Sequence, residues 1–208
     1  MNTKKLLTAT LVALLFAFTA NAQLEIKPTA GINLSNVSTT PNGTKTTAKI
    51  GYQFGGSVMF GNRLYLSPGI FYFQQVTQYV IDNPDGSTTA ITSDEKTAGV
   101  KIPVLLGFRF IDPETDPLLN FRVFAGPSVN FNTTNKFSDG FGSDEIKWKK
   151  NTWGAQIGAG VDLAFLFLEA GYEFGLSSSY EGDSASENFK DIKHNSFVLN
   201  VGARFVID

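Results

Sequence analysis

The sequence predicts an all-β chain: an eight-stranded antiparallel up-and-down transmembrane β-barrel over 23–208, preceded by a secretory leader over 1–22. Three observations lead there. Apolar residues recur at every second position in most segments after Gln23, the period of a strand with two unlike faces. Many of the 20 glycines fall on the polar face of those segments. Short connections alternate with long polar ones, the layout of a barrel with tight turns at one end and loops at the other.

The leader comes first along the chain. Lys4 and Lys5 form a basic start, Leu6 to Phe18 an apolar stretch, and Ala20-Asn21-Ala22 a cleavage motif before Gln23. That pattern is a signal peptide. The apolar run falls short of the ~20 residues a helical membrane span needs.

Eight strands follow, at roughly 24–36, 49–60, 64–79, 96–111, 118–133, 150–163, 166–179 and 193–207. The clearest alternations are Ile50-Tyr52-Phe54, Trp153-Ala155-Ile157-Ala159-Val161-Leu163 and Phe197-Leu199-Val201-Ala203-Phe205. Gly61-Asn62-Arg63, Asp112–Pro117 and Ala164-Phe165 are the short turns. The long connections are 37–48, 80–95, 134–149 and 180–192. Asp82–Ser87 and Asp112–Pro117 cluster carboxylates, but neither has calcium-loop spacing, and both read as turns.

The two faces can be assigned. Gly31, Gly51, Gly55, Gly107, Gly126, Gly158, Gly171 and Gly202 share the polar face. A solvated outer surface has little use for glycine, whereas an eight-stranded interior is only just wide enough for side chains. The opposite face is uniformly apolar, as in Val100-Ile102-Val104-Leu106-Phe108-Phe110. Eight such stripes would overfill the interior, so they face lipid, and Glu169 and Glu173 point inward. Pro28, Pro68, Pro103 and Pro127 lie within strands. A closed barrel has no edge on which to place them, so bulges or water-facing carbonyls are expected nearby.

With a formal net charge of −2 and no cysteine, nothing suggests nucleic acid, a disulfide, a thiolate nucleophile or a Cys-ligated metal. No cofactor or metal is expected. His194 is the single histidine. Paired with Asp191 it could serve a hydrolase, but no nucleophile stands at recognisable spacing, and a solvated rim residue is expected instead. Lys147, Trp148, Lys149, Lys150 and Trp153 read as an outer-rim group in contact with lipid, because aromatic residues form girdles at the membrane surface. Inside, Lys27, Arg109, Arg122, Asp162, Glu169, Glu173 and Arg204 form a charge cluster. Arg109, Arg122, Asp162, Glu169 and Arg204 lie near the short-turn end. Glu169 falls at about the height of Arg204 and is expected to pair with it. At this strand number an ion-paired plug is favoured over a selectivity ring.

Five segments carry a family resemblance: "AGINLSNV" (30–37), "IPVLLGFRF" (102–110), "FAGPSVNF" (124–131), "FLEAGYEFGLSS" (167–178) and "HNSFVLNVGARF" (194–205). In this order they resemble the PorT-like outer-membrane β-barrel family of Bacteroidetes. The resemblance implies an eight-stranded barrel in the outer membrane of a Gram-negative bacterium and supplies no catalytic motif. The expectation is therefore a monomeric, non-enzymatic barrel in contact with outer-membrane lipid. Its role would be structural or in surface interaction, through long extracellular loops. The alternatives are an accessory factor of a protein secretion system, with a protein partner, and an outer-membrane hydrolase.

Overall fold

The computed structural model describes residues 23–37, 44–81, 91–113, 118–137, 149–178 and 193–207. The expected leader and most of the four long connections lie outside these residues. In chain order the strands are β1 (Leu24–Val37), β2 (Thr44–Phe60), β3 (Leu64–Ile81), β4 (Ile91–Arg109) and β5 (Leu119–Phe137), then β6 (Asn151–Leu163), β7 (Leu166–Gly175), β8 (His194–Ala203) and β9 (Phe205–Ile207). Each pairs antiparallel with its neighbour, and β1 closes the sheet by pairing with both β2 and β8–β9. β8 and β9 are one stave interrupted at Arg204, so the barrel has eight staves. At that break Arg204 turns to the β6–β7 hairpin: its backbone N–H donates to the Phe165 carbonyl at 2.7 Å and its Nε to Ala164 O at 2.6 Å. Ala164 opens this two-residue turn at φ 52°, a left-handed conformation that non-glycine residues seldom adopt.

The strands are flush at the short-turn end, where Leu64 pairs with Phe108 and Leu119 with Leu163. They are ragged at the other end. β3, β4 and β5 run 18, 19 and 19 residues, whereas β6, β7 and β8 run 13, 10 and 10. About 9–11 residues suffice to cross a bilayer, so the tall wall of β2–β5 extends well beyond it. These extensions account for most of the boundary differences from the sequence reading. Beyond the membrane a strand needs no apolar face, and the alternation fades in Thr44–Lys49 and Ile91–Glu95. β7 ends early, because the Leu176 and Ser177 backbone N–H groups both turn to the Trp153 carbonyl, at 2.9 and 3.3 Å.

The four prolines follow one rule, and of the two accommodations expected from the sequence the bulge is not used at any of them. Pro28 pairs with Gly56, Pro68 with Val104, Pro103 with Ser128 and Pro127 with Ala155. On the opposite side of each proline the ladder skips a step and resumes in the same register. The β2–β3 pairing, for example, passes from Ser57↔Gly69 to Phe60↔Leu66 around Pro68, and β4–β5 passes from Pro103↔Ser128 to Leu106↔Ala125 around Pro127. An antiparallel residue directs its N–H to one neighbour only. A missing donor therefore interrupts one side and leaves the other intact. The register shifts lie elsewhere, between Lys49 and Tyr52 and between Ala98 and Gly99.

Facing follows the alternation. Ile102, Val104, Leu106, Phe108 and Phe110 are all exposed, as are Ile26, Ile32, Tyr52, Phe54, Leu168, Phe174 and Val201. Glu25, Lys27, Asn33, Gln53, Lys101, Arg109, Arg122, Asp162 and Glu173 are buried. This is an inverted molecule, with its charges inside and its apolar band outside. Large aromatics join the charges inside: Tyr65, Phe71, Phe73, Phe124 and Phe167 are all buried.

Candidate functional site

The most structured constellation is the barrel interior, and it divides into three tiers. At the short-turn end Glu25 lies between two arginines, 2.7 Å from Arg109 Nη2 and 3.5 Å from Arg204 Nη1. Arg109 is fully buried; it also donates to the Asn62 carbonyl at 3.3 Å and lies over the Tyr65 ring at 5.4 Å. One tier up, Glu169 accepts from Lys27 Nζ at 2.6 Å and from Arg122 Nη1. Arg122 Nε also donates to Asp162 at 2.9 Å. The Phe167 ring packs against both cations, 4.1 Å from Lys27 Nζ and 5.4 Å from the Arg122 guanidinium. Near mid-height Lys101 pairs with Glu173. The Glu173 carboxylate accepts two further bonds at 3.0 Å, from Ser128 Oγ and Asn130 Nδ2.

All seven charges expected inside are in these tiers, but the partnership of Glu169 is corrected. It does not meet Arg204. The β7–β8 register sets Glu169 opposite Asn200, four residues before Arg204, so the arginine lies below it and pairs with Glu25. Glu25 and Lys101 were missed by sequence reasoning. Their signal was present: once Ile26 and Ile102 are turned outward, the period of two turns both charges inward.

The glycines explain how long side chains meet in so narrow a space. Gly160 stands opposite Arg122 on one side and Glu169 on the other. With no side chain between them, the two charges join over its backbone; a Cβ there would lie 3.2 Å from Arg122 Cζ and 3.0 Å from Glu169 Cγ. Gly31 does the same between Gln53 and Asn200, which hydrogen-bond at 2.9 Å. Gly107 and Gly158 make room for rings, since a Cβ at either would overlap Tyr65 or Phe124 respectively. We expect Gly107→Ala to cost about 1–3 kcal/mol through overpacking. The unfolding midpoint in detergent measures this, and Tyr65→Leu in the same chain should recover part of the loss. An unchanged midpoint for Gly107→Ala alone would contradict the packing.

His194 is not a solvated rim residue. Its side chain is 15% exposed and faces inward, with Nε2 3.5 Å from the buried Glu95 carboxylate. Its sequence-suggested partner Asp191 lies outside the described residues, as do Lys147 and Trp148. Of the remaining rim group, Lys149 is half-buried, Lys150 is exposed, and Trp153 is 57% exposed and points outward. Among the described residues, no group of three or more His, Asp or Glu side chains could hold a metal ion.

The closed antiparallel barrel has counterparts among known proteins. Residues 17–181 match the family model described as "Outer membrane protein beta-barrel domain". The chain belongs to this family. It is an outer-membrane β-barrel protein, and its place is the outer membrane of Gram-negative bacteria. Among solved structures it is similar to the outer membrane protein OprG from Pseudomonas aeruginosa, with a TM-score of 0.58 and 12% identity over 91% of this chain and 98% of that one. Neisserial surface protein A matches at a TM-score of 0.47 and 16% identity, over 88% of this chain and 97% of that one. Ail, the attachment invasion locus protein of Yersinia pestis, matches at 0.43 and 19% in its complex with a heparin analogue, over 88% and 99%. At these identities the likeness concerns the fold. The comparison with curated proteins finds no match.

Proposed function

We propose that this protein is a monomeric, non-enzymatic outer-membrane barrel with a plugged lumen, and that it carries four long loops outward in a structural or surface-interaction role. The ion-paired interior supports the plug. Among the described residues, two voids between lumen side chains measure about 40 Å³, around Gln53, Lys101 and Glu169, and about 30 Å³, around Gln75, Glu173 and His194. Such spaces hold a few water molecules. The leader at 1–22 would deliver the chain for assembly, with Lys147, Trp148, Lys149, Lys150 and Trp153 meeting lipid at the outer rim. Within the family, the five motifs favour a PorT-like barrel.

Reconstitution of the full chain in planar lipid bilayers tests the plug. Membranes carrying the protein should show no sustained conductance above background, and a stable, high-conductance channel would overturn the proposal. Protease added to intact cells tests the orientation. Cuts are expected within 134–149 or 180–192 and not at 112–117; cleavage confined to the short turns would place the loops on the periplasmic side.

A further inference from the structure

The lipid-facing wall carries a depression on β3–β6 near the short-turn end. Ala125 points outward and pairs with Leu106 on β4 and Ile157 on β6. Its methyl group is the short member of an otherwise bulky apolar surface. Leu64, Leu106, Phe108, Val123 and Ile157 wall a groove of about 380 Å³ around it, within the range of small-ligand sites. Its floor is backbone at Gly107 and Gly158. The inner sides of both glycines are taken by the Tyr65 and Phe124 rings, so nothing from within the barrel fills the groove.

A charge stands at its lower end. Arg63 is exposed in the turn beside Leu64, and its guanidinium lies over the Phe108 ring, 5.5 Å from the centroid. Nη2 donates to the Phe110 carbonyl at 3.2 Å, which holds the group against the barrel wall. Phe108 is thus both a wall of the groove and the platform for the cation. We propose that this is a phospholipid site, with an acyl chain in the groove and the headgroup phosphate on Arg63. An apolar slot continuous with a guanidinium at the membrane surface fits that amphiphile and its charge. A second copy of the chain docking by the same face would bring two Arg63 side chains to the same end of the interface, a like-charge contact that a phosphate avoids. The site is defined by the short-turn end and holds for either orientation of the barrel in the membrane.

Native mass spectrometry of the full chain released from detergent micelles tests this, with dioleoyl phosphatidylglycerol and dioleoylglycerol as separate probes. Both lipids should remain bound to the unmodified protein. Ala125→Phe fills the groove and should lower retention of both by about tenfold, the equivalent of a couple of methylene groups no longer buried. Arg63→Gln should lower phosphatidylglycerol retention by about fivefold and leave dioleoylglycerol unchanged, with Arg63→Lys restoring it. Heat-modifiable gel mobility reports barrel closure for each variant. Ala125→Leu should show the smaller loss of a partial filling, and it serves if Ala125→Phe does not assemble. Retention unchanged by filling the groove, or insensitive to Arg63→Gln, overturns the site. A dimer that disappears on filling overturns it too, by assigning the groove to a second copy.

Discussion

Arg122→Met is expected to produce the largest stability loss of any single substitution inside the barrel, about 3–5 kcal/mol in detergent, the range found when one partner of a buried ion pair is removed. The Arg122 guanidinium is buried and serves two carboxylates, Asp162 at 2.9 Å and Glu169. Methionine keeps most of the stem's packing and removes the charge, so both carboxylates lose a cation. Lys27 still reaches Glu169, but Asp162 loses its bond from Arg122 Nε. Water entering the lumen would bring the loss toward the lower end of the range. Urea unfolding followed by heat-modifiable mobility measures it, and a loss below about 1 kcal/mol would mean that the tier contributes little. A double-mutant cycle locates the partners. Lys27→Met with Glu169→Gln should be non-additive, whereas Arg204→Met with Glu169→Gln should add to within about 0.5 kcal/mol, because those residues do not meet.

Val104→Arg should impair assembly by about 2–4 kcal/mol, the cost of an arginine on the lipid face near the bilayer midplane. Val104 stands at the middle of the outward stripe on β4, exposed between Ile102 and Leu106 and opposite Pro68 on β3. The contrasting variant is Gln156→Arg. Gln156 lines the central lumen void and pairs across the sheet with Glu173, so a guanidinium there meets a carboxylate. The fraction of chain recovered in the membrane in heat-modifiable form reads out both. Normal assembly of Val104→Arg with failure of Gln156→Arg would exchange inside and outside.

Within the bilayer the facing of the strands was legible because the membrane imposes it. A strand between lipid and a narrow lumen must alternate; Trp153–Leu163 does so without a break, and Val100–Phe110 does so except at Leu105. Outside the bilayer the constraint lapses. The extensions of β2 and β4 carry polar residues on both faces, as at Thr46 and Thr47 and at Ser93 and Asp94, and they looked like loops. The tight turn at Ala164-Phe165 was readable from spacing alone. The placement of the prolines was not. Whether a missing donor matters depends on which neighbour a residue's N–H faces, and that is a property of the register.

For the interior, sequence determined which side chains enter the barrel, and the tertiary structure decided which of them meet. Alternation turns Lys27, Arg122, Asp162, Glu169, Glu173 and Arg204 inward on their own strands, whatever the neighbours do. It sets no height between strands. The cross-strand register puts Glu169 level with Asn200, sends Arg204 down to Glu25, and stations Gly160 between Arg122 and Glu169. Closure of the sheet then brings Lys27 on β1 to Glu169, 142 residues away along the chain. A period of two is local and is written into each segment. Relative height and closure are collective, arising only when eight staves share one ring of hydrogen bonds.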